Sequence, residues 1–170
     1  MAKLIRVEKK GRIITTRNPR EVLALSRTIA TRIKPLTTKL ELAGSIRRKL
    51  PPKDIDIVVI PKNKGAILNA LKRQGKLISA GEQKASAMSK GVKIDVFFAT
   101  PKNFGAQLLT YTGGYKNNIG LRMLAKRQGK LLNQYGLFDR RTNRLLASKT
   151  EQDIYRKLGK LKATPPEQRG

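Results

Sequence analysis

The sequence predicts an α+β fold: a mixed β-sheet with flanking helices, followed by a smaller C-terminal α/β unit. Three observations carry that expectation. Short β-branched or alternating segments bounded by Gly or Pro recur at Lys39 to Ala43, Asp54 to Ile60, Leu77 to Ala80 and Val92 to Ala99, which is the pattern of strands. Between and after them run segments with apolar residues at helical spacing. The 170 residues, 39% of them hydrophobic, suit one compact domain or two small lobes with a modest core. A division near Pro101 gives units of residues 1–100 and 101–170.

In chain order, Leu4 to Glu8 and Arg12 to Thr16 flank Lys9-Lys10-Gly11 and read as two strands around a turn. A helix follows. Asn18 suits the N-cap, Pro19 the first helical position and Glu21 a capping box, while Val22, Leu25, Ile29 and Ile33 keep helical spacing up to the stop at Pro35. After the second of the four strand segments, Ala66, Ile67, Leu68, Ala70 and Leu71 mark a helix from Lys64 to Gln74. Helices are also expected from Phe104 to Tyr111 and from Lys116 to Gln128, separated by Thr112-Gly113-Gly114.

The string Lys72-Arg73-Gln74-Gly75-Lys76-Leu77 returns as Lys126-Arg127-Gln128-Gly129-Lys130-Leu131. The surrounding residues do not match, so both copies read as helix C-termini with basic residues at the negative dipole end, a left-handed Gly, and then a strand. The last third holds a strand-turn unit at Leu131 to Phe138, a turn at Arg141 to Arg144, and a helix from Glu151 to Leu158 capped by Thr150. Pro165-Pro166-Glu167 ends regular structure.

Charge narrows the chemistry. With 38 Lys and Arg against 11 Asp and Glu, the chain carries +27 and contains no Cys, His or Trp. Thiol nucleophiles, imidazole triads, disulfides and zinc fingers are excluded, and any metal must rest on oxygen ligands. Basic residues spread along the whole chain point to a polyanion, favouring nucleic acid over an anionic membrane. No apolar run approaches the roughly 18 residues of a membrane span, and Met1 to Arg6 opens no signal peptide. An intracellular location follows as an expectation.

Three of the five Asp fall in the most hydrophobic strand segments. Asp54 and Asp56 bracket Ile55 ahead of Ile57-Val58-Val59-Ile60, and Asp95 lies within Val92 to Phe98. Asp is depleted in strands. On a strand, Asp54 and Asp56 share a face, roughly 7 Å apart, and a neighbouring Asp95 strand brings three carboxylates together. Such anions repel unless a cation neutralises them, and Mg2+ suits an all-oxygen set. The blander reading leaves Asp54 and Asp56 on an exposed strand start and pairs Asp95 with a Lys. Upstream, Gly44-Ser45 closes a strand before Ile46-Arg47-Arg48. Gly44 lets backbone approach a phosphate, Ser45 donates to it, and Arg48 or Arg47 adds a bidentate contact. Alone, Gly-Ser is an ordinary turn; ten residues before an Asp-x-Asp it reads as a phosphate cradle beside a metal site.

The string Ala43-Gly44-Ser45-Ile46-Arg47-Arg48, then Asp54-Ile55-Asp56, Lys93-Ile94-Asp95-Val96 and Tyr111-Thr112-Gly113-Gly114, resembles the family X DNA polymerases, the DNA polymerase beta group of the nucleotidyltransferases. Leu132-Asn133-Gln134-Tyr135-Gly136-Leu137-Phe138 is similar to the family's L-N-E-Y-G-L-F stretch. Glu151-Gln152-Asp153-Ile154-Tyr155, Leu158-Gly159, Pro165-Pro166-Glu167 and Arg169 resemble its C-terminal signature. About 130 residues, from Leu40 onward, are covered.

The resemblance implies a nucleotidyltransferase palm in residues 1–100 and a nucleotide- and template-binding subdomain in 101–170. It implies that Asp54, Asp56 and Asp95 bind two Mg2+ ions, with Mn2+ a substitute, and that a primer 3′-OH attacks the α-phosphate of a deoxynucleoside triphosphate. Gly44, Ser45 and Arg48 match the triphosphate contacts, and Lys93 stands where the family commonly has Arg beside the third carboxylate. Tyr111, Thr112 and Gly113 match the turn packed on the nucleotide sugar. Asn118 and Arg122 match helix positions at the new pair and the template, with Gln134 and Tyr135 further DNA contacts. The partners implied are a primer-template or gapped duplex and deoxynucleoside triphosphates, handled by a monomer, with no membrane; short-gap filling in repair is the expected role.

Departures accompany the match. Lys53 precedes the first Asp where the family has Gly or Ser, Pro51-Pro52 stiffens that loop, Gly114 replaces Ser, and Gln134 replaces Glu. The lyase and helix-hairpin-helix region of longer members has no counterpart in the first 40 residues. The chain thus resembles the compact viral members, and deoxyribose-phosphate lyase activity is not expected. The basic surface, including Arg20, Arg27, Arg32 and Lys34, then has a reason: the catalytic lobes must grip the duplex themselves. Two other functions fit part of the pattern. A template-independent nucleotidyltransferase acting on an RNA end or small molecule also uses Gly-Ser and Asp-x-Asp. A non-catalytic basic nucleic-acid-binding protein explains the charge but not three Asp in apolar strands.

Overall fold

A computed structural model describes residues 3–9 and 12–170, with residues 7–9 and 12–16 described in backbone only. Strands β1 (Leu4–Lys9) and β2 (Arg12–Arg17) pair antiparallel, as the alternation predicts. The turn expected at Lys10-Gly11 lies outside the described residues. Helix α1 (Pro19–Ile33) starts where Asn18 accepts from the Arg20 N–H, and a 3₁₀ turn at Lys34–Leu36 takes up Pro35. The capping box does not form. The Asn18 N–H instead donates to the Lys3 carbonyl, and the Glu21 carboxylate accepts from the Lys3 N–H at 2.6 Å, so Lys3, just ahead of β1, satisfies the group that Glu21 is expected to serve.

The main sheet holds five strands: β3 (Thr37–Leu42), β4 (Ile55–Pro61), β5 (Lys76–Ala80), β6 (Lys84–Ser89) and β7 (Val92–Phe98), in the order β3-β4-β7-β6-β5. Only β4 and β7 run parallel, and they are joined through α3 (Lys64–Gln74) and the β5–β6 hairpin. Pleat parity assigns the two faces. Ile55, Ile57 and Val59 on β4, with Ile94, Val96 and Phe98 on β7, meet Val22, Leu25, Ile29 and Ile33 of α1 and Ile67 and Leu71 of α3. Residues of the other parity, Val58 and Phe97, meet Phe104 and Leu108 of α4 (Phe104–Thr112). Asp56 and Asp95 therefore stand on the α4 face.

Behind α4 come α5 (Tyr115–Arg127), a three-stranded antiparallel sheet of β8 (Lys130–Asn133), β9 (Gly136–Asp139) and β10 (Leu145–Ala147), and α6 (Glu151–Lys157). Their core gathers Leu109, Leu121, Ala125, Leu137, Ile154 and Tyr155. The mixed sheet and flanking helices make the fold α+β, as the sequence predicts.

Three local expectations are corrected. Asp54 precedes β4 because Pro51-Pro52-Lys53 hold the chain off the ladder until Ile55. A strand at Lys84–Ser89 and a one-turn helix α2 (Gly44–Arg47) are additional elements. Of the two repeated helix ends, Gly129 is left-handed (φ 65°) but Gly75 is extended (φ 167°). Gly75 is needed for a different reason, since a Cβ there would overlap the Met88 carbonyl of β6. The tail also differs from expectation: Pro166–Gln168 forms a 3₁₀ turn, and Arg169 beyond it is only 1% exposed.

Candidate active site

The two aspartates on the central strands stand side by side. Parallel pairing of β4 with β7 sets Asp56 against Asp95 in register, on the face that α4 leaves partly open. Ala43 is tied to this strand through its N–H on the Asp56 carbonyl at 2.8 Å, and this delivers Gly44 to the Asp56 side chain. Gly44 has φ 55°, and a Cβ on it would overlap Asp56 Oδ2. Only glycine meets both the conformation and the close approach. Ser45 follows in the first turn of α2, part-exposed beside this carboxylate pair's strand.

The two carboxylates differ electrostatically. Burial, then the nearby Asp54 and Asp95 charges, push Asp56 up to about 6, and Lys84 and Lys93 offset only part of this. Burial also acts to raise Asp95, but hydrogen bonds from Lys84, Ser86 and Lys93 outweigh it and hold that carboxyl below its usual range. The contacts are direct. Lys84 Nζ lies 2.8 Å and Lys93 Nζ 3.1 Å from Oδ2, and Ser86 Oγ donates to Oδ1 at 2.6 Å. Asp54 is exposed and contributes through its charge. Among the described residues, no three acidic side chains are grouped as ready metal ligands. The bland sequence reading, in which Asp95 pairs with lysine, is what the side chains adopt.

The second lobe supplies the rest of the surround. Tyr111 stacks on Phe97 of β7, ring centroids 3.5 Å apart and 12° between planes, which places a flat aromatic pair beside Asp95. Burial, and then Tyr135, raise the Tyr111 hydroxyl above its usual range. Asn118 is turned inward, donating from Nδ2 to the Thr110 carbonyl at 2.9 Å. Arg122 and Gln134 share a groove with Lys126, Lys130, Asn133 and Arg140, so the structure brings together two of the three residues that the motifs suggested for DNA. Tyr135 instead reaches across to the first lobe, its hydroxyl 2.6 Å from Gln83 Oε1.

The two arginines of the Gly-Ser turn do not point into open space. Arg48 Nη1 donates to the Thr112 carbonyl, against Gly113, and its Nε is buried without a hydrogen-bond partner. Arg47 is committed elsewhere: Nη1 and Nη2 grip the Glu151 carboxylate at 2.9 and 2.7 Å, and Nη1 also donates to Thr112 Oγ1 at 2.8 Å. Arg169 Nη1 reaches the same carboxylate at 2.6 Å, its Nε donates to the Thr164 carbonyl, and its own carbonyl accepts from the Gly114 N–H. Arg47 is thus a bidentate ligand for a carboxylate of the other lobe, and the phosphate contact offered as an alternative for it is corrected. The Arg47–Glu151–Arg169 cluster and Lys84 were missed by sequence reasoning. Partners 104 residues apart leave no local pattern.

Residues 107–170 match the family model for the DNA polymerase beta thumb. Over 136 residues, 76% of this chain, it is 27% identical to the DNA polymerase/3′-5′ exonuclease PolX of Bacillus subtilis, of which that match covers 24%. Over 138 residues it is 28% identical to the repair DNA polymerase X of African swine fever virus, covering 75% of this chain and 79% of the viral protein. Over 81 residues it is 37% identical to human DNA-directed DNA/RNA polymerase mu, covering 47% of this chain and 16% of the human protein. The chain therefore spans well under two thirds of the bacterial and human relatives and most of the viral one. In its motifs, its thumb match and these relatives, the chain is similar to the family X DNA polymerases.

Proposed function

We propose that this chain is a template-directed DNA polymerase that extends a primer 3′-OH and fills short gaps in DNA repair. Residues 1–100 act as its palm and 101–170 as its nucleotide- and template-binding lobe. The observation that carries this reading is the in-register pairing of Asp56 with Asp95 on adjacent parallel strands, with Gly44 closed on Asp56 and Tyr111 stacked alongside. The names of the relatives supply DNA and repair as the context.

The donor set fits hard divalent cations. Its donors are carboxylate oxygens, and the repulsion that helps raise Asp56 to about 6 is what such a cation relieves. Asp54, Asp56 and Asp95 would hold two Mg2+ ions, or Mn2+ in their place. When bound, these supply the charge that acidifies a primer hydroxyl and offsets the build-up on a transferring phosphoryl group.

The remaining groups of the chain bind and orient. Ser45 Oγ and the backbone N–H groups that open α2 take triphosphate oxygens, and Arg48 joins them from its place on Thr112. Tyr111, Thr112 and Gly113 form the wall against the nucleotide sugar, with Asn118 under the new base pair. Arg122 and Gln134, within their basic groove, and Tyr135 take the template, by contacts that position without reading sequence. Lys93 holds charge balance at Asp95. Among the described residues no helix is long and apolar enough to cross a membrane; we place the enzyme inside the cell or at a viral replication site, working as a monomer on deoxynucleoside triphosphates and gapped duplex.

Primer extension on gapped and open templates, with Mg2+ or Mn2+ and each triphosphate, tests this. Extension must follow the template base, and Asp95→Ala must abolish it. Normal Mg2+-dependent extension by Asp95→Ala, or incorporation indifferent to the template, would overturn the reading.

A further inference from the structure

Both oxygens of Asp95 are already occupied. Oδ1 accepts from Ser86, and Oδ2 sits between two ammonium groups, Lys84 at 2.8 Å and Lys93 at 3.1 Å. An oxygen held between two ammonium groups presents little free lone-pair density to a metal, so one of the lysines must yield before Oδ2 can coordinate. The two are not equivalent. Lys93 lies two residues before Asp95 on the same strand and face, so its proximity is fixed by the pleat. Lys84 comes from the neighbouring strand β6, where Ser86 pairs with Asp95 and Lys84 with Phe97, and it must lean diagonally along the ladder to reach Oδ2.

Both lysines are part-exposed, Lys84 39% and Lys93 48% against 14% for Asp95, and what sets Lys84 apart is its ammonium 5.2 Å from the Phe97 ring on which Tyr111 stacks. Next to it, Gln83 meets Tyr135 of the other lobe. Lys84 therefore stands between Asp95, the Phe97–Tyr111 pair and the Gln83–Tyr135 contact, where a nucleic-acid backbone must pass if the polymerase reading holds.

We propose that Lys84 is an exchangeable countercation of Asp95: in the free protein it neutralises Oδ2, and an incoming DNA phosphate draws it away, opening that oxygen to a divalent metal. The inference rests on the function proposed above. Phosphate and carboxylate compete for one ammonium, so DNA binding and metal binding at Asp95 become positively coupled, and the coupling is reciprocal. A chain without DNA then holds its metal weakly and avoids assembling a reactive centre around free triphosphate.

The test is Mn2+ binding to the full chain, read from the paramagnetic resonance signal of free Mn2+, with and without a short primer-template whose own Mn2+ uptake is measured in parallel. Without DNA, Lys84→Met should bind Mn2+ roughly fivefold more tightly than wild type, the scale of one part-exposed ion pair. Lys84→Gln should behave like Lys84→Met, and Lys84→Arg, which keeps the charge, should retain wild-type affinity. The duplex should tighten Mn2+ binding by wild type more than by Lys84→Met. Equal Mn2+ affinity of wild type and Lys84→Met, or equal tightening by the duplex, overturns the proposal and leaves the polymerase reading standing. Mn2+ binding undiminished in Asp95→Asn would instead overturn the metal assignment, and this inference with it.

Discussion

Replacing Glu151 by Ala removes the carboxylate that two arginines share, and the structure sets the scale of the loss. Arg47 and Arg169 make three hydrogen bonds to it between 2.6 and 2.9 Å. The side chains are 21%, 1% and 12% exposed for Arg47, Arg169 and Glu151. Without Glu151, Arg169 is a cation 1% exposed with no countercharge on Nη1, and Arg47 keeps only Thr112 Oγ1. Breaking one member of a buried ion network costs about 3–5 kcal/mol. That is a large share of the roughly 5–15 kcal/mol that holds a domain folded. At about 2–4 °C per kcal/mol for a chain of this size, the midpoint should fall by about 10 °C.

Calorimetry with urea unfolding as a check measures this. The charge-neutral Glu151→Gln keeps shape and one acceptor, and should lose less than Ala. Acid dependence supplies a second readout. Burial acts to raise Glu151, but the hydrogen bonds from Arg47 and Arg169 outweigh it and hold its carboxyl below the ordinary 4.5. Its stabilisation is thus fully present above the unfolded value of 4.5 and is lost as pH falls through the lower folded value. Wild type should therefore lose its advantage over Glu151→Gln on acidification below that point. A loss under about 1 kcal/mol for Glu151→Ala, the scale of an exposed pair, or an advantage that persists unchanged in strong acid, would refute the reasoning.

Other perturbations reach different parts of the site. Gly44→Ala must strain a φ of 55° and push Asp56 aside, so primer extension should fall sharply while thermal stability drops only by about 1–3 kcal/mol. Arg122→Gln with Lys126→Gln removes two cations from the groove that also holds Gln134. The slope of log DNA affinity against log salt should shrink by about 1.8, from roughly 0.9 per duplex phosphate contact, with triphosphate affinity unchanged. Tyr111→Phe keeps the stack on Phe97 and should retain activity, whereas Tyr111→Ala should raise the KM for the nucleotide, as steady-state kinetics would show.

The elements that sequence reasoning placed well were those with local punctuation. Asn18-Pro19 starts α1 and Gln74-Gly75 ends α3 at the residues observed, because caps and breakers act within a few positions. Strand β6 escaped notice since Lys84-Ala-Ser-Ala-Met-Ser alternates only small residues of weak strand preference, yet Ala85 and Ala87 are fully buried in the sheet core. Missing that strand hid Lys84. The carboxylates were found because Asp in an apolar strand is a local anomaly, whereas their partners follow from register, which the sequence does not display. The same holds for Glu21, whose capping role is taken by the Lys3 carbonyl while its own carboxylate meets the Lys3 N–H, 18 residues away.

Register also changes how the charge of the chain acts. Among the described residues the salt bridges engage six cations, namely Arg47, Lys49, Lys84, Lys93, Arg156 and Arg169, and four of these serve just two acids, Asp95 and Glu151. With 38 bases to 11 acids, the excess positive charge acts on a polyanion diffusely and, where it is exposed to solvent, is screened by salt. The few acids are instead doubly bonded at two points, one fastening the lobes together and the other at the carboxylate proposed to bind metal. Grip on DNA should therefore erode gradually as single surface lysines are lost, while loss of Glu151 or Lys84 should act abruptly, the first on stability and the second on metal affinity.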